Sequence, residues 1–249
     1  SLSNSAGQLL HLGSGNFTLS QAGTLTNAGS IASANSLTLN ASAVNNSGTL
    51  QAQQQLNVQA SLNNQSGAAL LANNITVSAG AGSVVNSGTV SAANSLQLGA
   101  GNIQNNQLLY AGNSAALNAA SVTNNGNVSA NNLSVSGFSL LQNSGRIESA
   151  TASYSGTTLQ NAGGELVNAG SAANSLQLNV AELNNSGTVY NSASDMRFGG
   201  NLTNSGNIVH AGSGTLLLGS NGAVNNNGGS IASAGRVTVS NNISGSGTV

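Results

Sequence analysis

The sequence predicts an all-β chain wound as a parallel β-helix, a solenoid of about 12 turns at about 20 residues per turn. Three observations carry that expectation. A small polar turn of the form N-x-G recurs along the whole chain, aliphatic residues stand at fixed distances on either side of it, and short L-x-L alternations lie between the turns.

The turn element comes first. "NNSGTL" at 45–50 returns as "VNSGTV" at 85–90, "QNSGRI" at 142–147, "NNSGTV" at 184–189 and "TNSGNI" at 203–208. Aligned on glycine, the anchors are Gly29, Gly48, Gly67, Gly88, Gly126, Gly145, Gly163, Gly187, Gly206, Gly228 and Gly247, and Gln107 fills the place between Gly88 and Gly126. The commonest step is 19 residues, and the repeats fill residues 1–249 as a single domain with no linker.

The aliphatic columns come next. Four residues before the anchor stand Leu25, Val44, Val84, Ile103, Val122, Leu141, Leu159, Leu183, Leu202, Val224 and Ile243, with Leu62 one place early. Two residues after it stand Ile31, Leu50, Val90, Leu109, Val128, Ile147, Val189, Ile208 and Val249, while Leu70, Leu166 and Ile231 come one place later. The third element is the alternation Leu37/Leu39, Leu56/Val58, Ile75/Val77, Leu96/Leu98, Leu133/Val135, Leu176/Leu178, Met196/Phe198, Leu216/Leu218 and Val237/Val239. A period of two is a strand signature, since successive side chains point to opposite faces. One repeat cannot bury its own apolar face, but stacked repeats bury a continuous core.

Each recurring polar residue has a physical task in such a stack. The anchors Gly29, Gly48, Gly88, Gly145, Gly187 and Gly206 supply either a positive φ or close approach to the adjacent turn. Two residues earlier stand Asn27, Asn46, Asn86, Asn105, Asn124, Asn143, Asn161, Asn185, Asn204 and Asn226. Asn suits tight turns, and stacked amides can hydrogen-bond into a ladder. Proline is absent, as expected where strands bond on both edges.

Charge is nearly absent. Only Arg146, Arg197, Arg236, Glu148, Glu165, Glu182 and Asp195 carry it, among 41 Asn and 33 Gly. Like charges repeated at about 4.8 Å along a stack would repel, whereas amides and hydroxyls pair. With no basic clusters, phosphate neutralisation and hence nucleic-acid binding are not expected. No apolar run reaches the about 18 residues of a membrane span. There is no basic-then-apolar leader, so a signal segment is expected outside these residues. Ser1 is not a start methionine.

The candidates for chemistry are few. Allowing for the extra residue at Gly163–Gly164, Glu165 falls one turn beyond Arg146 at the same position, which predicts a surface ion pair. His11 and His210 lie about ten turns apart, and the four carboxylates are scattered. No catalytic residue, metal site or cofactor site is therefore expected. The six aromatics are dispersed, and the tyrosines read as isolated surface residues. Thr does not recur in the outward columns as an ice-binding face would need, and the many Asn-x-Ser/Thr triplets read as turns.

The stretches "VNNSGTLQAQQQLNV" (44–58), "VNSGTVSAANSLQL" (85–98), "VNAGSAANSLQL" (167–178) and "LNNSGTV" (183–189) resemble the haemagglutinin repeats of filamentous-haemagglutinin-like exoproteins. These are two-partner-secretion proteins of Gram-negative bacteria and include the CdiA-type contact-dependent growth-inhibition effectors. The resemblance covers essentially the whole chain. It implies a right-handed β-helix on the cell surface, exported through an outer-membrane two-partner-secretion transporter and presenting an adhesin or toxin domain to another cell. A receptor protein or glycan on a host or neighbouring bacterium is the partner it implies. The family's NPNG- and NPNL-type secretion motifs do not occur, so the expectation is a shaft segment, a structural and adhesive stalk. A discrete receptor-binding module is the alternative, and a carbohydrate-active β-helix enzyme, with acids clustered in a cleft, is a further one. Departures are expected to matter most where the pattern breaks, at the Gly163–Gly187 and Gly206–Gly228 steps.

Overall fold

The computed structural model describes residues Ser1–Val249. It contains 25 strands and no helix. Parallel strands stack in β-solenoid turns ~19 residues apart, about 13 in all against the about 12 expected. The chain divides into two compact units, one of Ser1–Ala120 with Gly126–Ala130 and one of Ser121–Asn125 with Asn131–Val249.

In the first unit, the register follows the repeat. Leu25 pairs with Val44, Val44 with Leu62, Leu62 with Val84 and Val84 with Ile103. A second column runs Ile31, Leu50, Leu70, Val90. The third runs Leu37, Leu56, Ile75, Leu96, with Leu39, Val58, Val77 and Leu98 two residues on. All of these side chains are buried. Each contributes about 1.5–3 kcal/mol relative to exposure, so the columns hold the turns together.

The second unit repeats the scheme with one interruption. Leu159, Leu183, Leu202 and Val224 form one buried column, and Ile147, Leu166, Val189, Ile208 and Ile231 another. In the third, Ala152 and Tyr154 pair with Leu176 and Leu178. Met196 and Phe198 then start a separate three-stranded sheet, pairing with Leu216 and Leu218, which pair with Val237 and Val239. The break follows the longest step between anchors, from Gly163 to Gly187.

Three sequence expectations are corrected. Ile243 and Val249, placed in the core columns, are 42% and 62% exposed, because the last turn has a stacked neighbour on one side only. Val237 and Val239 are half-buried for a related reason. The tyrosines are not all isolated surface residues: Tyr154 is buried, as are Phe138 and, in its expected column, Phe198. Phe138 fits because Gly156 leaves room; a Cβ there would lie 2.4 Å from the phenylalanine ring. Ala152 and Tyr154 occupy the L-x-L column, a place that reading for pairs of aliphatics overlooks.

Candidate functional site

The polar groups the sequence singles out converge on the corner where each N-x-G turn stacks on the next. In the first unit, the amide of Asn4 donates to Asn27 Oδ1, Asn27 to Asn46, Asn46 to Asn64, Asn64 to Asn86 and Asn86 to Asn105, at 2.8–2.9 Å. In the second unit, Asn124, Asn143, Asn161, Asn185, Asn204 and Asn226 continue the same pattern at 2.8 Å. Every one of these amides is buried. Each donor also faces carbonyls: Asn27 Nδ2 lies 3.2 Å from Gly29 O in its own turn and 3.0 Å from Thr49 O in the next. All the bonds run in one direction, so the amide dipoles align and polarise one another.

Asn4 and Asn64 are ladder members outside the sequence-derived set. The Asn64 turn holds two extra residues, so counting back from Gly67 misses it. Counting 18 or 19 residues on from Asn46 would have found it.

The anchors divide into two physical kinds. At Gly29, Gly48, Gly187 and Gly206, a Cβ would lie 2.0–2.1 Å from a carbonyl oxygen of the preceding turn. At Gly88 the nearest such oxygen, Ala68 O, is 2.3 Å away. None of these five has positive φ. Gly67, Gly163 and Gly228 do, at 79°, 78° and 77°, and nothing lies within 4 Å of a Cβ there. These are the turns with inserted residues. Gly164 and Gly229 take over the close approach, each with a backbone carbonyl oxygen and an asparagine amide nitrogen within 3 Å of a Cβ.

Charged side chains are used on the same turn-to-turn contacts. Arg146 and Glu165 are register partners, and the guanidinium contacts Glu165 and, at 3.1 Å, Glu148. Burial works against the Arg146 charge, but hydrogen bonds to Glu165 and Glu148 prevail and raise its pKa. The three side chains are 42%, 51% and 44% exposed, so water screens the pairs to about 0–1 kcal/mol each. Glu182 accepts from the Thr158 hydroxyl at 3.2 Å, and Asp195 accepts from the Thr215 N–H at 2.7 Å.

The histidines are stacking groups too. His11 stacks on Phe17 and its Nδ1 lies 3.3 Å from Ser33 Oγ. His210 is buried, with Nε2 3.1 Å from the carbonyls of Ala193 and Ser194 and Nδ1 2.9 Å from Ser233 Oγ. Carbonyls only accept, so Nε2 carries a proton. The structure holds no cluster of three or more His, Cys, Asp or Glu.

Tyr154 is the one strongly perturbed group. Burial pushes its phenol well above the usual tyrosine range. Beside it is a cavity of about 10 Å³, lined by Leu166, Leu176, Val189 and Tyr190 among others, near the lower limit for one water. A folded-state pKa above the unfolded one gives stability that is fully present below about pH 10 and lost as pH rises through the folded value. Urea midpoints are therefore expected to fall more steeply above about pH 10 in the parent than in Tyr154→Phe. Equal slopes would mean that the phenol ionises freely in the folded chain.

Two of the open grooves are large. One of about 530 Å³ lies at the break in the second unit, between Leu178–Ala181, Gly199–Asn201 and Asn221. The other, about 400 Å³, lies in the first unit between Gln51–Gln54, Leu71–Asn73 and Ala93. Their linings are amides, glycine, alanine, leucine and valine, with no titratable side chain. Such surfaces offer hydrogen bonds and apolar contact.

No helix is long and apolar enough to cross a membrane. No protein-family model, curated protein or solved structure matches the chain.

Proposed function

We propose that this chain is a structural and adhesive stalk segment of a large secreted bacterial surface exoprotein. On this reading it presents distal adhesin or toxin domains for contact with another cell. The observation that carries the reading is how the polar and charged groups are used. The Asn ladder, the anchor glycines and Arg146, Glu165, Glu182 and Asp195 all bond or pack turn against turn. A fold whose polar chemistry goes into stacking can be lengthened by adding turns, which is what a spacer requires.

Export through an outer-membrane two-partner-secretion transporter to the cell surface belongs to the same proposal. Absence of cysteine and pairing between adjacent turns both suit a chain that folds progressively as it emerges. A receptor protein or glycan on the contacted cell is the partner of the parent protein.

The test is surface display of the chain between a membrane anchor and a terminal binding tag on a capsulated bacterium. Deleting residues 28–46 and 87–105 removes two whole turns and rejoins equivalent positions. Capture of ligand-coated beads is expected to decline with each deletion and to be restored when the turns are added back. Capture independent of length overturns the stalk reading. Saturable binding of the untagged chain to cells would instead make it a receptor-binding module. Polysaccharide turnover lost on changing Glu148, Glu165, Glu182 or Asp195 would make it an enzyme.

A further inference from the structure

Asparagine followed by glycine is chemically fragile. With no Cβ on the glycine, its backbone nitrogen can approach the preceding side-chain carbonyl. The chain holds 41 Asn but only three Asn–Gly pairs: Asn125–Gly126, Asn221–Gly222 and Asn227–Gly228. None belongs to the ladder. After Asn27, Asn46, Asn86, Asn143, Asn185 and Asn204 come Ala or Ser, with glycine one place later. The ladder amides are also buried and fully hydrogen-bonded.

The three pairs are held differently. The Gly126 N–H donates to Asn105 O at 3.3 Å, and Asn125 Oδ1 accepts from the Ser144 hydroxyl at 2.7 Å. Attacking nitrogen and attacked amide are both tied to neighbouring turns. The Gly222 and Gly228 N–H groups donate no hydrogen bond within the chain. All three asparagines are exposed, and Asn227 Oδ1, like Asn125 Oδ1, accepts from a serine hydroxyl, that of Ser246 at 3.1 Å, so the bonded or free glycine N–H is what separates the pairs. Gly228 adds an inserted turn with φ 77° and open space around it.

We infer that Asn221 and Asn227 are sites of spontaneous deamidation in the folded chain, while Asn125 and the ladder are protected. The glycine nitrogen bonds to the asparagine side-chain carbonyl carbon. The bond from that carbon to the side-chain nitrogen breaks, and ammonia leaves with the glycine proton. Water then opens the cyclic imide at either carbonyl, giving aspartate or isoaspartate. No oxidant or reductant takes part. At Asn221 the product places a carboxylate in the groove formed by Leu178–Ala181 and Gly199–Asn201, which otherwise has no charge. At Asn227 an isoaspartate lengthens the backbone next to Asn226, whose amide donates to Thr248 O at 2.8 Å. The first change alters what the groove can bind, and the second loosens the last ladder contact.

The test is incubation of the folded chain at mildly alkaline pH, followed by peptide mapping with mass spectrometry and enzymatic isoaspartate methylation. Conversion is expected at Asn227 and Asn221 well before Asn125 or any ladder residue. In denaturant, Asn125 should join the fast set, because its sequence context is the same and only the fold protects it. The exposed replacements Asn221→Gln and Asn227→Gln should abolish the early signal without moving the urea midpoint. Folded-chain conversion of Asn125 as fast as Asn227 would overturn the inference, and so would no early conversion at Asn221 and Asn227.

Discussion

Replacing Asn143 by alanine is expected to destabilise the second unit by about 3 kcal/mol, read as a fall in the urea midpoint. The Asn143 amide donates to Asn161 Oδ1 at 2.8 Å and faces Gly145 O and Glu165 O at 3.2 Å, while its oxygen accepts from Asn124 at 2.8 Å. Alanine leaves the buried Asn161 oxygen and those carbonyls without their donor. A buried polar group stripped of its partner costs about 1–3 kcal/mol, more than the net worth of the bond itself. Asn143→Asp is expected to be worse at neutral pH, because a carboxylate would face three acceptors. That aspartate's folded pKa is raised above the unfolded value of about 3.9, so its stability is recovered below about pH 4 and lost as pH rises. Asn184→Ala, one residue before the ladder, should stay within about 0.5 kcal/mol. Equal effects at Asn143 and Asn184 would show that the ladder contributes nothing beyond turn propensity.

The second large effect is expected at Gly48. A Cβ there would sit 2.0 Å from Gly29 O and 2.8 Å from the Ala28 carbonyl carbon. Both are backbone atoms of the adjacent turn, so no flexible side chain can move aside. Gly48→Ala must spread two hydrogen-bonded turns and should cost about 4 kcal/mol or more, the extreme end for one substitution. Gly187→Ala, with Gly164 O at 2.0 Å, should match it in the second unit. Gly67→Ala meets no atom within 4 Å but must adopt φ 79°, and about 1–2 kcal/mol is expected. Gly15→Ala, with neither obstacle, should be close to neutral. Thermal or urea unfolding of the four variants ranks these causes, and a cost at Gly15 equal to that at Gly48 would remove the steric explanation.

Those two substitutions mark where the sequence was legible. The spacing of Leu25, Val44, Leu50 and Val90 is enough to infer a stacked strand repeat, because turns of constant length must place equivalent residues over one another. The Arg146–Glu165 contact was legible for the same reason, once the additional glycine at 163–164 was allowed for. Asn64 was not, since one inserted residue before Gly67 displaces the glycine used for counting. Tyr154 was not either, because only its neighbours' burial distinguishes a core tyrosine from a surface one.

The grooves belong to a different level. The one between Leu178–Ala181 and Gly199–Asn201 lies where the third strand column stops pairing and a new sheet begins at Met196. Sequence flagged the Gly163–Gly187 step as irregular, but an irregular step can close over, bulge or open a gap. Which of these happens depends on which backbone groups find partners in the adjacent turn.

By itself, then, the sequence determined the parallel solenoid, its period, its core columns and the identity of most ladder residues. These are consequences of periodicity, and periodicity survives in one dimension. Only the tertiary structure decided which glycines answer to a neighbouring carbonyl and which to a positive φ, and that Tyr154 is buried. It also decided that the Gly126 N–H after Asn125 is bonded to the adjacent turn, where those of Gly222 and Gly228 are not. Each of those depends on distances between residues in different turns, which spacing along the chain leaves undetermined.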